Sequence, residues 1–370
     1  MEKISPLKEK LRIVIFCGGY GTRMWPMSRQ NFPKQFQPLI GGKSFFQEAV
    51  EKVRIGFSPE DIFVSVSANQ AKFVREQFPD LPPKNIIAEP ERRDTLGAVG
   101  YATIFMDHYF PNSLMAVIWG ADHLVREKKK FNRLIKIAAS VCQQKEVICK
   151  IDVKPTYPST ANGWVKVGKP LYRVEGFTVY EFEKFIEKPE LKLAKKMFAN
   201  PSYFINTGYF VWRTSVLLGL YKKYAPECFS HLLKIKKIIG ERNKKDEIKK
   251  EYSLIEKISV DFGLFEKLKK GNFLVIPGDL GWYDVGTWGL LYEALAIGQK
   301  QNISKGDVEY LDANGNLVYV PKGKIAGVVG VENLVIVDTP DGLLVCRRDK
   351  SDEVKKLVNL LKKKGKDRYL

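Results

Sequence analysis

Leu11-Arg12-Ile13-Val14-Ile15-Phe16-Cys17-Gly18-Gly19-Tyr20-Gly21-Thr22-Arg23-Met24-Trp25-Pro26 is the stretch whose reading decides the fold. Arg12 to Cys17 reads as a buried strand, and it empties directly into glycines. Residues without Cβ let backbone N–H groups converge on an anion, so a strand followed by such a loop suits phosphate. Arg23 can grip a phosphate with two parallel hydrogen bonds, and Lys34 in the downstream Pro33-Lys34 adds a point charge. A dinucleotide fingerprint would need a glycine where Met24 stands. A P-loop is also excluded: Gly42-Lys43-Ser44 matches its end, but Gln37 occupies the place of its first glycine. A tight turn without a ligand is the competing reading of the glycines alone.

Working outward, strands and helices alternate. Helix is expected at Ser44–Val53, where Ser44 and Gln47 have capping-box spacing. Strand follows at Ile62–Ser67, helix at Asn69–Phe78, strand at Asn85–Ala88, and a helix capped by Asp94 runs to His108. Leu114–Trp119 reads as strand and Phe131–Gln143 as helix. This βαβα order implies an α/β, Rossmann-like, mixed but mostly parallel sheet, with ligands beyond the carboxyl ends of its strands. Val147 to Glu187 is rich in strands and turns and reads as an insertion walling a pocket. From Gln301 the texture changes to short apolar runs at 308–310, 317–320, 325–331, 334–337 and 343–346, separated by Gly, Asn, Asp and Pro. That spacing predicts a small C-terminal β-helix-like domain with a terminal helix over Asp352–Lys364. The expected division is 1–298 and 299–370.

Composition bounds the function. The five cysteines form no Cys-x-x-Cys pair, and there are only three histidines, which argues against a disulfide framework or a zinc site. No apolar run reaches membrane-spanning length, and no signal-peptide cleavage pattern follows the first strand, so a cytoplasmic protein is expected. The net charge of +19 sits largely in lysine-rich stretches of helical character at 128–136, 234–250 and 355–366. Solvated helix faces explain it without nucleic acid.

The motif Gly18-Gly19-Tyr20-Gly21-Thr22-Arg23-Met24-Trp25-Pro26-Met27-Ser28, with Pro33-Lys34-Gln35-Phe36, resembles the signature of nucleoside-diphosphate-sugar pyrophosphorylases, in the form found in bacterial mannose-1-phosphate guanylyltransferases. The resemblance implies Gly18, Gly19, Gly21 and Thr22 at the nucleotide phosphates, with Arg23 and Lys34 as catalytic cations. Glu89-Pro90 with Arg93-Asp94-Thr95 is similar to the family's base-binding segment. A carboxylate at Glu89 can accept from both N1–H and the 2-amino group of guanine. Asp94 replaces the family's Asn, Thr95 is retained, and Leu96-Gly97 replaces its Ala-Pro.

Trp119-Gly120-Ala121-Asp122-His123 resembles the family's Pro-Ser-Asp-His, whose Asp binds Mg²⁺. Gly281-Trp282-Tyr283-Asp284-Val285-Gly286-Thr287-Trp288 resembles the segment that supplies a second acid, Asp284, to the metal and to the sugar site. Thr287 reads as a helix cap and Trp288 as core. Asn162-Gly163-Trp164-Val165 is similar to the sugar-pocket stretch, with Gly163 retained. Phe185-Ile186-Glu187-Lys188-Pro189 implies Glu187 on sugar hydroxyls and Lys188 on the sugar phosphate. Ile205-Asn206-Thr207-Gly208 implies Asn206 on the sugar. Ser259-Val260-Asp261-Phe262 matches a further segment whose role reads as structural capping.

The resemblance therefore implies a nucleotidyltransferase joining GTP to mannose 1-phosphate, with Mg²⁺ as cofactor and no nucleic-acid or membrane partner. A homodimer is an admissible assembly, and at 370 residues no fused phosphomannose isomerase domain is expected. Another base or sugar, or an inactive nucleotide-sugar-binding relative, is the alternative. A glycosyltransferase would show Asp-x-Asp where Gly120-Ala121-Asp122 stands.

Overall fold

The structure is a computed structural model that describes residues 4–19, 21–29, 31–119 and 122–370. In chain order the strands are β1 (Leu11–Phe16), β2 (Ile62–Ser67), β3 (Ile86–Glu89), β4 (Leu114–Trp119), β5 (His123–Val125), β6 (Ile148–Val153), β7 (Trp164–Val174), β8 (Phe177–Ile186), β9 (Tyr203–Arg213), β10 (Phe273–Pro277), β11 (Trp282–Asp284), β12 (Ile303–Lys305), β13 (Asp307–Leu311), β14 (Leu317–Tyr319), β15 (Ile325–Val329), β16 (Leu334–Thr339) and β17 (Gly342–Arg347). The helices are α1 (Phe45–Arg54), α2 (Ala71–Gln77), α3 (Asp94–Tyr109), α4 (Lys128–Gln144), α5 (Leu191–Phe198), α6 (Thr214–Tyr224), α7 (Pro226–Ile238), α8 (Lys245–Ser253), α9 (Val260–Gly263), α10 (Trp288–Leu295) and α11 (Val354–Lys363). Backbone packing divides them between two compact units. The first is Met1–Cys17, Lys52–Trp119 and Arg126–Leu280; the second is Gly18–Glu51, Gly120–Val125 and Gly281–Leu370.

The first unit is built on a nine-stranded sheet in the order β3-β2-β1-β4-β9-β6-β10-β8-β7. The β3-β2-β1-β4 ladder is parallel throughout. β9 runs antiparallel to β4, β6 and β7, and β8 runs antiparallel to β7 and β10. Only β8 and β9 oppose the common direction, so the sheet is mixed and mostly parallel, as expected. β1 is apolar because neighbours pair on both its edges and core lies on both its faces; Ile13, Val14 and Ile15 are fully buried. Helix α3 is apolar nearly all round, with Leu96, Val99, Ala102, Ile104 and Met106 buried, because α6 and α7 pack over its outer side.

The stretch 147–187 is not an insertion beside the sheet but part of it. β6 lies between β9 and β10, and β7 and β8 close one edge. Its turns concealed this at the sequence level, since the partners of β6 are more than fifty residues away in the chain.

In the second unit, Ser44 and Gln47 form the expected capping box at α1: Gln47 N donates to Ser44 Oγ at 3.1 Å, and Ser44 N donates to Gln47 Oε1 at 3.0 Å. Thr287 caps α10 by accepting from Leu290 N, and Trp288 is fully buried. At the C-terminal end, β12, β14 and β16 form one parallel ladder and β13 and β15 another. The chain alternates between the two ladders, which is a short β-helix-like solenoid, and β17 returns antiparallel to β16. Asn316, fully buried at a corner, is satisfied by Asn302, Val331 and Leu334. β12, too short to register as a run, was not expected.

All five cysteines are free thiols. No helix among the described residues is long and apolar enough to cross a membrane.

Candidate functional site

In the second unit, the glycine loop continues from the end of β1. Gly19 has φ +100° and Gly21 φ +63°, conformations that favour glycine. At Gly21 a Cβ would also lie 2.3 Å from Lys34 Cβ, whereas one on Gly18 or Gly19 would meet nothing. Gly21 therefore admits Lys34, while Gly18 and Gly19 leave an open surface of backbone. Tyr20 lies outside the described residues. Thr22 to Met24 make one 3-10 turn, with Met24 buried and the Arg23 side chain 43% exposed. The Arg23 guanidinium lies 3.6 Å from Asp352 Oδ1. A Cβ at Gly286 would sit 3.0 Å from Arg23 Nη2, so that glycine is what lets the guanidinium lie where it does.

Lys34 is placed differently from a phosphate-gripping point charge. Its Nζ is buried, donating to Asp122 Oδ2 at 3.1 Å and to Val285 O at 2.9 Å. Asp122 and Asp284 are 162 residues apart but come together because β5 and β11 pair antiparallel, with His123 opposite Asp284. Val285 N extends that ladder to Asp122 O at 2.9 Å. Ligand atoms of Asp122, His123 and Asp284 all lie within 4.8 Å of one another. Burial pushes the Asp122 carboxyl up, but the charges of Lys34, His123 and Arg23 and the bond from Lys34 outweigh it and hold it below the usual range. The donor set fits a hard divalent cation: two carboxylates, with an imidazole that stacks edge-on against Trp282 at 5.0 Å. Gly120 and Ala121, where the motif departs from the family's, lie outside the described residues.

In the first unit, Glu89 ends β3 and its Oε1 accepts from Tyr252 OH at 2.5 Å. Burial raises its pKa, against the Tyr252 bond and the Arg93 backbone N–H. Asp94 is not the expected cap of α3 but its first residue: exposed and at φ +57°, its carboxylate accepts from the adjacent Thr95 N at 2.7 Å, not from the N–H groups two or three residues on that a cap binds. Thr95 Oγ1 is engaged by Val260 N at 2.8 Å, which ties α3 to the start of α9. Gly97 is required by proximity: a Cβ there would lie 2.8 Å from Arg93 Cβ and 3.0 Å from Tyr252 OH.

A second group in this unit gathers Gly163, Glu187, Lys188 and Asn206. A Cβ on Gly163 would lie 2.5 Å from Glu187 Oε2, and Asn206 N donates to Gly163 O at 2.9 Å. Glu187 Oε1 accepts from Lys188 Nζ at 2.6 Å; the acid is nearly buried and the lysine exposed, at φ +43°. A bulge between β6 and β9 aims Asn206. Asp152 pairs with Asn206 and Ile151 with Tyr209, which leaves Thr207 and Gly208 extra. Gly208 takes φ +72°, and a Cβ there would lie 2.2 Å from Trp119 Cδ1.

Sequence reasoning missed Lys150, Asp152 and Tyr252 and gave Asp261 only a capping context. Ser259 is indeed the cap, accepting from Phe262 N. Asp261 itself is pushed up to about 6 by burial and by the charge of Glu187, against Lys150 and Lys188. The available signal was Lys150 and Asp152, two charges alternating inside the otherwise apolar run 148–153.

A glycine loop following a parallel strand, with clustered cations and a carboxylate pair, defines a class of α/β enzymes that act on phosphate esters. The chain belongs to the nucleotidyl transferase family, whose model matches residues 12–301, and residues 306–361 match the MannoseP isomerase/GMP-like beta-helix domain. It is 31% identical to an Escherichia coli mannose-1-phosphate guanylyltransferase over 96% of this chain and 76% of that one. It is 30% identical to the alginate biosynthesis protein AlgA of Pseudomonas syringae pv. tomato, over 95% of this chain and 72% of that one. Among solved structures it is similar to a Thermus thermophilus protein described as a mannose-1-phosphate geranyltransferase, with a TM-score of 0.84, 26% identity, and coverage of 95% of this chain and 99% of that one. The chain is an enzyme of the nucleotidyltransferase type, and the family generally uses a divalent metal.

Proposed function

We propose that this enzyme transfers GMP from GTP to mannose 1-phosphate, releasing pyrophosphate, in the cytoplasm and with Mg²⁺. The observation that carries the reaction type is the β5–β11 pairing, which sets Asp122 and Asp284 beside Lys34 on the unit that also bears the glycine loop and Arg23. Likeness to relatives named mannose-1-phosphate guanylyltransferase supports the substrate pair.

The attacking sugar phosphate is already anionic, so no general base is needed; positioning and charge neutralisation suffice. Backbone N–H groups of Gly18, Gly19 and Gly21 with Thr22 receive the triphosphate, and Arg23 neutralises charge growing on the leaving pyrophosphate. Lys34 keeps Asp122 ionised and in place. Asp122 and Asp284 would hold the divalent cation, which when bound supplies Lewis-acid neutralisation of phosphate charge. Glu89 accepts from the guanine edge, with Asp94 and Thr95 beside it. Gly163, Glu187 and Asn206 take the sugar, and Lys188 its phosphate. The division proposed at 298/299 is one of roles, with the β-helix-like segment as accessory, and differs from the division by packing.

Pyrophosphate release with Mg²⁺ tests the reading, using GTP, ATP, UTP and dTTP against mannose 1-phosphate and glucose 1-phosphate. Release confined to GTP with mannose 1-phosphate is expected. A different preferred pair would overturn the base or sugar assignment, and absence of release from folded, nucleotide-binding protein would overturn catalysis.

A further inference from the structure

Lys150 and Asp152 lie on the same face of β6 and are essentially inaccessible, with side-chain exposures of 2% and 0%. Two charges so buried are costly to keep, and replacement by apolar residues is often tolerated or stabilising. Their position suggests why they are kept. Lys150 Nζ lies 3.2 Å from Asp152 Oδ2 and 3.0 Å from Asn206 Oδ1, caged by the rings of Phe185 and Phe210 at 5.5 and 5.2 Å. Gly208 N donates to the same Asn206 oxygen at 3.1 Å.

Two donors that cannot accept therefore converge on one end of an amide. An ammonium and a backbone N–H can both be satisfied there only by oxygen, so chemistry fixes which end of Asn206 is which. The NH2 end, which can only donate, makes no hydrogen bond to the described residues. A sugar hydroxyl meeting it must accept, and its own proton must go to another acceptor. Glu187, packed with Asn206 around Gly163, is an acceptor when ionised. The pair thus reads one hydroxyl in one hydrogen-bonding direction.

We infer that the buried Lys150–Asp152 pair is a positioning device for sugar recognition, locking the Asn206 amide so that it donates to a substrate hydroxyl. Lys150 touches no substrate itself; it acts through Asn206. The inference rests on the sugar-site reading above but does not depend on which base or sugar is used.

The test is Lys150→Met combined with Asp152→Asn, which removes the ammonium without leaving a lone buried carboxylate. Asn206→Ala, alone and on that background, completes a double-mutant cycle. Folding of each variant is checked by thermal melting. In the double variant the KM for the sugar 1-phosphate should rise about tenfold, the worth of one hydrogen bond, with the KM for the nucleoside triphosphate unchanged. Adding Asn206→Ala should cost little more. A sugar KM that stays at the wild-type value, a parallel rise for both substrates, or additive losses would overturn the inference. If the wild type turns over no sugar 1-phosphate, the proposed function fails. The inference is then read from calorimetric binding of mannose 1-phosphate and glucose 1-phosphate, with the same cycle. A wild type that binds neither overturns both.

Discussion

Single residues in this enzyme owe their chemistry to neighbours far along the chain. Asp261 is an ordinary aspartate by sequence, yet burial and the nearby Glu187 push it up to about 6, from a usual value near 3.8. A carboxyl raised on folding binds its proton more tightly in the folded state. Its ionisation therefore costs stability as pH rises, beginning near the unfolded value and complete above the folded one. Asp261→Asn is expected to melt with the wild type near pH 4, to gain on it between about pH 4 and pH 6, and to stay more stable above. Melting curves across that range check it, and a gap that closes at high pH would contradict the assignment. Gly21 shows the same dependence in a different form: its place in a phosphate-type loop was legible, but neither its φ of +63° nor the need to admit Lys34 Cβ was.

Secondary elements were read more securely than their partners. Strands β2 and β4 and helix α2 fall within the expected limits because each is a compact apolar or amphipathic run with clear punctuation. The bulge in β9 was invisible, since Asn206-Thr207-Gly208 could equally be a turn. Its geometry makes Gly208 sensitive. An alanine there must adopt φ +72° and place Cβ 2.2 Å from the Trp119 indole. Gly208→Ala is expected to destabilise by about 2–4 kcal/mol, from left-handed strain plus overpacking. Sugar affinity should fall with it, because the bulge aims Asn206. Urea denaturation with sugar-phosphate titration tests this; a neutral effect on both would refute the role given to the bulge.

The whole molecule carries a net charge of +19. The lysine-rich stretches 128–136 and 355–366 fall largely in α4 and α11, as expected for solvated helix faces. Both proposed substrates are polyanions, and a positive field raises encounter rates in a salt-dependent way. Between about 20 and 300 mM KCl, kcat/KM should fall severalfold while kcat changes little, since screening acts on encounter rather than on bound groups. A salt-independent kcat/KM would show that the charge serves something other than substrate capture.

The sequence by itself determined the α/β class and the β-helix-like end, and it singled out the glycine loop with Arg23 and Lys34; resemblance to family motifs singled out Asp122, Glu187, Asn206 and Asp284. The fold follows from local periodicity, the loop from the chemistry of glycines and cations beside a strand, and the four remaining residues from the motifs that carry the resemblance. Only the tertiary structure decided that Lys34 is bound to Asp122, that β5 and β11 join the two acids, that residues 147–187 belong inside the sheet, and that Lys150 meets the Asn206 amide oxygen. The physical reason is common to all four: each depends on hydrogen bonds between segments distant in the chain, and local propensity carries no information about strand register or about which buried charge meets which.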